Sequence, residues 1–348
     1  MPSLRFTEMN LPCAAYPKEN PLADFGRQSD AHAEMKRTPG MPDDVVVNPK
    51  FGTPVSLLPY LRQDDYSRCK KDAALPVAVL ENDRLRATFV PSLGGRLWSL
   101  YDKIQQKELL HANPVFQPAN LALRNAWFSG GIEWNVGIIG HTPFTCSPLF
   151  VETLEDPELG PVLRMYEYER IRQCIYQMDF FLPKGSSFLY GRFAIYNTQD
   201  KEIPMYWWTN MAVNEGKDVR VIVPADKALH LSYETGLAFR PFPYVLDTDA
   251  SYSTNLNRAM DFFFYLEKNV RPYVAAVDGN GRGFVQTSTA ELKGRKLFLW
   301  GMGEGGRRWQ EYLAQPGSAY IEIQAGLGRS QMEYLPMPAL SKYEWLEA

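Results

Sequence analysis

The chain has 348 residues, 45% hydrophobic and 22% charged, with 37 basic against 40 acidic side chains. That composition excludes wholesale disorder, and a net charge of −3 leaves no basic field to hold nucleic acid or an anionic membrane. Aromatic residues make up 13%, a content that suits β-structure and sugar-binding clefts better than helical bundles.

Residues 1–75 are proline-rich, from Pro2 to Pro59, with little regular periodicity. Each proline removes a backbone donor and pushes its predecessor towards extended backbone. The expectation is an N-terminal extension lying on a main body. One short helix is expected over Ser29–Arg37, and Leu57, Leu58, Tyr60 and Leu61 mark a packed part. The first residues lack a basic stretch followed by an apolar one, so no secretory leader is read there. Cys13, Cys69, Cys146 and Cys174 form no CxxC pair, so reduced thiols in a cytoplasmic protein are expected.

From residue 76 to 348 the pattern is short strands punctuated by turns, the second of two regions. Residues 77–91 read as two strands joined at Glu81-Asn82-Asp83, and 178–197 as a hairpin turning at 183–186. Further strands follow, and Arg307–Gln315 reads as the one late helix, with Trp309, Tyr312 and Leu313 at helical spacing. No strand–helix alternation appears, which argues against a parallel sheet. The fold class is all-β: a large antiparallel β-sandwich with a proline-rich N-terminal extension.

Four stretches concentrate Gly, Trp, Asn and ionisable residues. In Pro91–Trp98, paired glycines precede Arg96; this is either a plain turn with a surface arginine or a close approach to a ligand. Residues 127–143 pack Trp127, Glu133, Trp134, Asn135 and His141 among glycines, a costly set to bury without a task. In Pro204–Asn214 the tandem Trp207 and Trp208 must face opposite ways on a strand, so either one is core while the other offers a flat face to a ligand, or both are core and the Asn are turn residues. Asn210 beside them suits hydroxyl-rich ligands. In Ile321–Gly328, Glu322 and Gln324 share one strand face and Ile321 and Ile323 the other; Trp300 precedes them. A solvated strand side and the floor of a polyol cleft both fit that pattern. The four His show no metal-ligand spacing, and phosphate loops and the GxSxG elbow are absent. No metal and no cofactor are expected.

Taken in order, GGR–W, WFSGGIEWN…GH, YWWTN, the WG–GR–W block and IE-Q-AG resemble a domain-of-unknown-function family within the galactose-mutarotase-like superfamily, often followed by tetratricopeptide repeats. The resemblance covers roughly 76–346 and implies a supersandwich with a carbohydrate cleft on the concave face of one sheet. Against aldose 1-epimerases it implies Glu322 as catalytic base, with Gln324 at the family's glutamine. The family's acid is a histidine, and Asn210 stands at that position. Asparagine cannot act as a general acid, which leaves His141 as the first candidate acid and Glu133 as the second. The expected ligand is a sugar or oligosaccharide, held by Arg96, Trp127, Trp134, Asn135, Trp208, Asn210, Trp300 and Gln324. The expected activity is acid/base chemistry at an anomeric centre, either epimerase-like or, through a Glu133–Glu322 pair, glycosidase-like. The alternative is a catalytically silent sugar-binding module.

Overall fold

The computed structural model describes the chain except residues 27, 29–31, 33 and 233–235, and only the backbone of Ser232. In chain order, the strands of the two principal sheets are β1 (Ser3–Cys13), β2 (Lys71–Glu81), β3 (Leu85–Val90), β4 (Arg96–Asp102), β5 (Ile132–Val136), β6 (Phe150–Asp156), β7 (Gly160–Glu169) and β8 (Cys174–Phe181). They continue with β9 (Tyr190–Asn197), β10 (Trp207–Asn214), β11 (Lys227–Ser232), β12 (Gly236–Pro241), β13 (Met260–Phe264), β14 (Gly294–Leu299), β15 (Tyr320–Gly326) and β16 (Ser341–Glu347).

Among the described residues the larger sheet has 12 strands, in the order β1-β2-β3-β4-β5-β10-β15-β14-β13-β11-β12, with the short strand Lys107–Glu108 pairing β4. The second sheet runs β6-β7-β8-β9-β16. Neighbours along both orders are antiparallel. The expected antiparallel β-sandwich is the observed fold, and both expected hairpins are present as β2–β3 and β8–β9.

The period-two alternation of strands decides what each face buries. On β5, β10 and β15, Trp134, Trp207, Met211, Ile321 and Ile323 enter the core between the sheets. They meet Phe180 and Phe193 of the second sheet; Trp134 sits 5.1 and 5.4 Å from those two rings. The alternate residues of the same strands point to the outer face of the large sheet. Yet every residue of β5 and β15 is buried, so that outer face is also covered.

Part of the cover comes from the N-terminal region. Met41 and Val45 pack with Trp208, Phe263, Met332 and Tyr334 on the outer face. Arg37 ties this loop to itself, donating to the Val45 and Met41 carbonyls at 2.6 and 3.2 Å. Leu57 and Tyr60 are in the main core as expected, whereas Leu58 is exposed. Residues 1–75 are nevertheless not a separate appendage. β1 pairs β2 along its whole length, and β2 runs through residue 75, where the boundary between regions was drawn.

Of the helix expected over Ser29–Arg37, residues 29–31 and 33 lie outside the described set, and the described residues 32 and 34–37 are not helical. The late helix spans Glu304–Leu313 instead of Arg307–Gln315. Its first turn carries Gly306, which lies against the Trp300 and Gly301 carbonyls, where a Cβ would sit 2.2 Å from Trp300 O, so packing requires glycine there. Its buried face is Gln310 and Leu313, while Trp309 is half-exposed and stacks on Trp300 at 6.0 Å. The four cysteines are free thiols. Among the described residues no helix is long and apolar enough to cross a membrane.

Candidate functional site

Sheet register places the outer-face residues in two neighbouring rows. One row runs Glu133–Asn210–Gln324–Lys296 across β5, β10, β15 and β14. The next runs Ala212–Glu322–Phe298–Asp261 across β10, β15, β14 and β13. Directly opposed strand residues have Cβ atoms about 5 Å apart, so these side chains must interact. All of them except Glu133 and Ala212 form one wall of a cavity of about 330 Å³, completed by His141, Trp127 and Asn135 from the β5 side and by Trp300, Gln331 and His32.

The backbone reaches this arrangement through a glycine turn. Gly131 has φ +67°, and a Cβ there would sit 2.2 Å from Leu97 O. Only glycine lets the loop before β5 press onto β4 and deliver Glu133 to the outer face.

Two carboxylates dominate, and their environments differ. Glu133 Oε2 accepts hydrogen bonds from His141 Nδ1 at 2.8 Å, Trp127 Nε1 at 3.1 Å and Asn135 Nδ2 at 3.4 Å. Its Oε1 lies 3.6 Å from the Arg96 guanidinium. Burial pushes this carboxyl upward, but His141 and Arg96 beside it overcome that and hold it at about 2. Glu133 is therefore ionised at neutral pH. It does not line the cavity; it stands behind His141.

Glu322 is the opposite case. Its Oε2 accepts from Asn210 Nδ2 at 3.0 Å and Gln324 Nε2 at 3.1 Å. Burial raises its carboxyl above the ordinary value; His141 and Lys296 pull it down, and the Glu133 charge adds to the rise. A buried carboxyl with a raised pKa at a cavity wall is poised to exchange protons.

His141 lies between them. Its Nδ1 is committed to Glu133, so Nε2 is the ring nitrogen left to meet a ligand. The Trp127 ring lies 4.5 Å from the imidazole at 35°, so Trp127 both bonds Glu133 and backs His141. Beyond Glu322 a polar chain continues. Gln331 Nε2 donates to Gln324 Oε1 at 3.2 Å, Lys296 Nζ donates to Gln331 Oε1 at 2.7 Å, and Lys296 pairs Asp261 at 2.6 Å. Among the described residues no three His, Cys, Asp or Glu side chains cluster as metal ligands.

Of the candidates read from sequence, Trp127, Asn135, His141, Asn210, Trp300, Glu322 and Gln324 come together on the cavity. Arg96 and Glu133 lie behind it. Arg96 is buried, donating to Gly130 O at 2.8 Å and Thr145 Oγ1 at 3.0 Å, so it is neither a surface arginine nor a ligand contact. Trp134 and Trp208 do not reach the cavity. Trp134 faces the core, its indole donating to Gly95 O at 3.0 Å. Trp208 is on the outer face but fully covered, lying so close over β15 that a Cβ at Gly326 would meet its ring at 2.3 Å. His32, Leu121, Asp261, Lys296, Phe298 and Gln331 line the cavity without having been singled out. Asp261, Lys296 and Phe298 are legible as the polar or alternate positions of β13 and β14, which follow β15 in the sheet, but only once the strand order is known.

The fold has close counterparts. A tetratricopeptide-repeat-domain-containing protein from Parabacteroides distasonis superposes with a TM-score of 0.80 at 19% identity, over 99% of this chain and 54% of that one. This chain thus spans about half the length of that protein. A galactose mutarotase-like protein from Clostridium acetobutylicum gives a TM-score of 0.55 at 12% identity, over 78% of this chain and 94% of the other. A putative aldose 1-epimerase from Klebsiella pneumoniae gives 0.56 at 11%, over 78% of each. At these identities the likeness is one of fold. A family model described as a domain of unknown function (DUF5107) matches residues 53–338, and the chain belongs to that family.

Proposed function

We propose that the cavity binds a sugar and interconverts its anomers by general acid/base catalysis. The observation that carries this is the split between the two carboxylates: Glu133 is ionised and spent on His141, while Glu322 is raised and lines the cavity. Glu322 takes the proton of the anomeric hydroxyl as His141 Nε2–H gives one to the ring oxygen. The C1–O5 bond breaks to an open-chain aldehyde, which rotates about C1–C2 and recloses as the steps reverse. Glu133 offsets the charge of the doubly protonated imidazole and fixes its orientation. Asn210, at the position of the family histidine, supplies no proton; it holds Glu322 in place through its amide.

The glycosidase alternative needs Glu133 as a second reacting carboxyl. Its charge at neutral pH removes it as an acid, and its place behind His141 removes it as a nucleophile. The structural relatives with mutarotase-like and epimerase names add support through fold.

The test is anomer exchange followed by polarimetry or NMR across a sugar panel, with release of reducing sugar from glycosides as the counter-assay. Glu322→Gln keeps the shape and removes the basicity, so the rate should fall ~10²–10⁴-fold with sugar affinity kept. A full rate in Glu322→Gln, or glycoside cleavage by the wild type, sinks the reading. Sugar binding with no rate in the wild type selects the silent module, the outcome favoured by the missing family histidine.

A further inference from the structure

The hydrogen-bonding state of the cavity wall goes further than the reaction type and points to the charge of the substrate, on the reading that the ligand is a sugar. The donors on this wall already serve protein acceptors. Asn210 Nδ2 and Gln324 Nε2 give to Glu322, Gln331 Nε2 gives to Gln324, and Lys296 Nζ gives to Gln331. His141 Nδ1 and Trp127 Nε1 give to Glu133. Among the described residues Asn210 Oδ1 is buried and receives no hydrogen bond, and Asp261 keeps lone pairs beyond its contact with Lys296. Asp261 Oδ1 lies 2.6 Å from Lys296 Nζ, whose three protons serve it as well as Gln331, so the pair cancels charge while the carboxylate can still accept. Trp300 Nε1, which is neutral, and His141 Nε2, whose ring is backed by the Glu133 carboxylate, are left over as donors.

A phosphate or carboxylate is an acceptor-only anion. On this wall it would meet Glu322 and Asp261 and find a lysine already paired. A hydroxyl donates, and donation is what Asn210 Oδ1 lacks and what the spare lone pairs of Asp261 can take. Burying an acceptor without a donor is unfavourable, so the wall rewards a ligand that brings hydroxyls.

We infer that the cavity is selective for uncharged sugars over sugar phosphates and uronates, and that Asp261 sets this selectivity by neutralising Lys296 and accepting a substrate hydroxyl. Asp261 is a specificity residue, distinct from the acid/base pair.

Calorimetric titration of the wild-type protein with glucose, galactose and xylose, and with glucuronate, galacturonate, glucose 6-phosphate and galactose 6-phosphate, tests it. At least one neutral sugar should bind about tenfold or more tighter than its charged counterparts, since like charges juxtaposed in a site repel. Asp261→Asn unpairs Lys296, so the variant should gain affinity for the uronates about tenfold while losing affinity for the neutral sugar. An anionic sugar that binds the wild type as tightly as its neutral counterpart overturns the inference and leaves the anomer-exchange reading standing. An Asp261→Asn protein that folds and keeps the wild-type preference overturns the role of Asp261. If no sugar of either kind binds, the sugar reading itself fails, and the inference with it.

Discussion

Replacing Glu133 by glutamine removes one charge from a buried trio. The carboxylate lies 3.6 Å from Arg96 and 2.8 Å from His141 Nδ1, and both Arg96 and Glu133 side chains are 3% exposed. Its fall from an ordinary 4.5 to about 2 measures how much the folded protein prefers the charged form. At about 1.4 kcal/mol per tenfold, that preference is on the order of 3 kcal/mol. Removing one partner of a buried ion pair costs a similar amount, about 3–5 kcal/mol, because the other charge stays behind. For a depressed carboxyl the contribution is complete above the unfolded value, near 4.5. It declines as pH falls and is gone once the folded group protonates, near 2. Urea denaturation of wild type and Glu133→Gln at a series of pH values between 7 and 2 measures this directly. The stability gap should hold at about 3 kcal/mol from pH 7 to about 4.5 and shrink as pH falls further towards 2. A gap that is absent at pH 7, or unchanged down to pH 2, would refute the claim that Glu133 is held ionised by its neighbours.

Glu322 should behave with the opposite sign. Its raised carboxyl binds its proton more tightly when folded, so its contribution to stability falls as pH rises above the ordinary value; Glu322→Gln should melt no lower than wild type at pH 7 in calorimetry. The acid limb of any exchange activity should lie above 4.5, and a limb at or below it would contradict the raised value. Trp134→Ala and Trp208→Ala should each destabilise by about 3–5 kcal/mol in chemical denaturation, because both indoles are buried packing elements and neither touches the cavity. Trp127→Phe keeps a ring against His141 but removes the N–H to Glu133; the rate should drop several-fold with the fold intact, and an unchanged rate would mean that Glu133 needs no help from Trp127.

The strand alternation carries much of what could be read in advance. IEIQ separates Glu322 and Gln324 from Ile321 and Ile323 by period alone, and the structure puts them on those faces. The tandem tryptophans were likewise assigned opposite faces correctly. What period two cannot say is whether an outward face is open or capped. Trp208 points outward and is sealed by Met41, Val45 and Met332, residues remote from it in sequence. Trp134 misled for the complementary reason: it sits among Glu133 and Asn135, but one step along a strand turns it to the core. Arg96 was read locally as a possible surface residue, because nothing near it in sequence announces Glu133 as its partner. Asp261 and Lys296 form part of the site only through the strand order β15-β14-β13, which joins residues far apart along the chain.

That strand order also bears on how the molecule comes to exist. β15 lies between β10 and β14, so until residues near 320–326 are in place the large sheet is two unjoined halves. Each half then presents a bare backbone edge, an invitation to pair with another chain. The closing strand is also the one that brings Glu322. During synthesis, therefore, the stage most prone to aggregation is one that lacks the proposed base, and the event that seals both edges is the event that completes the site.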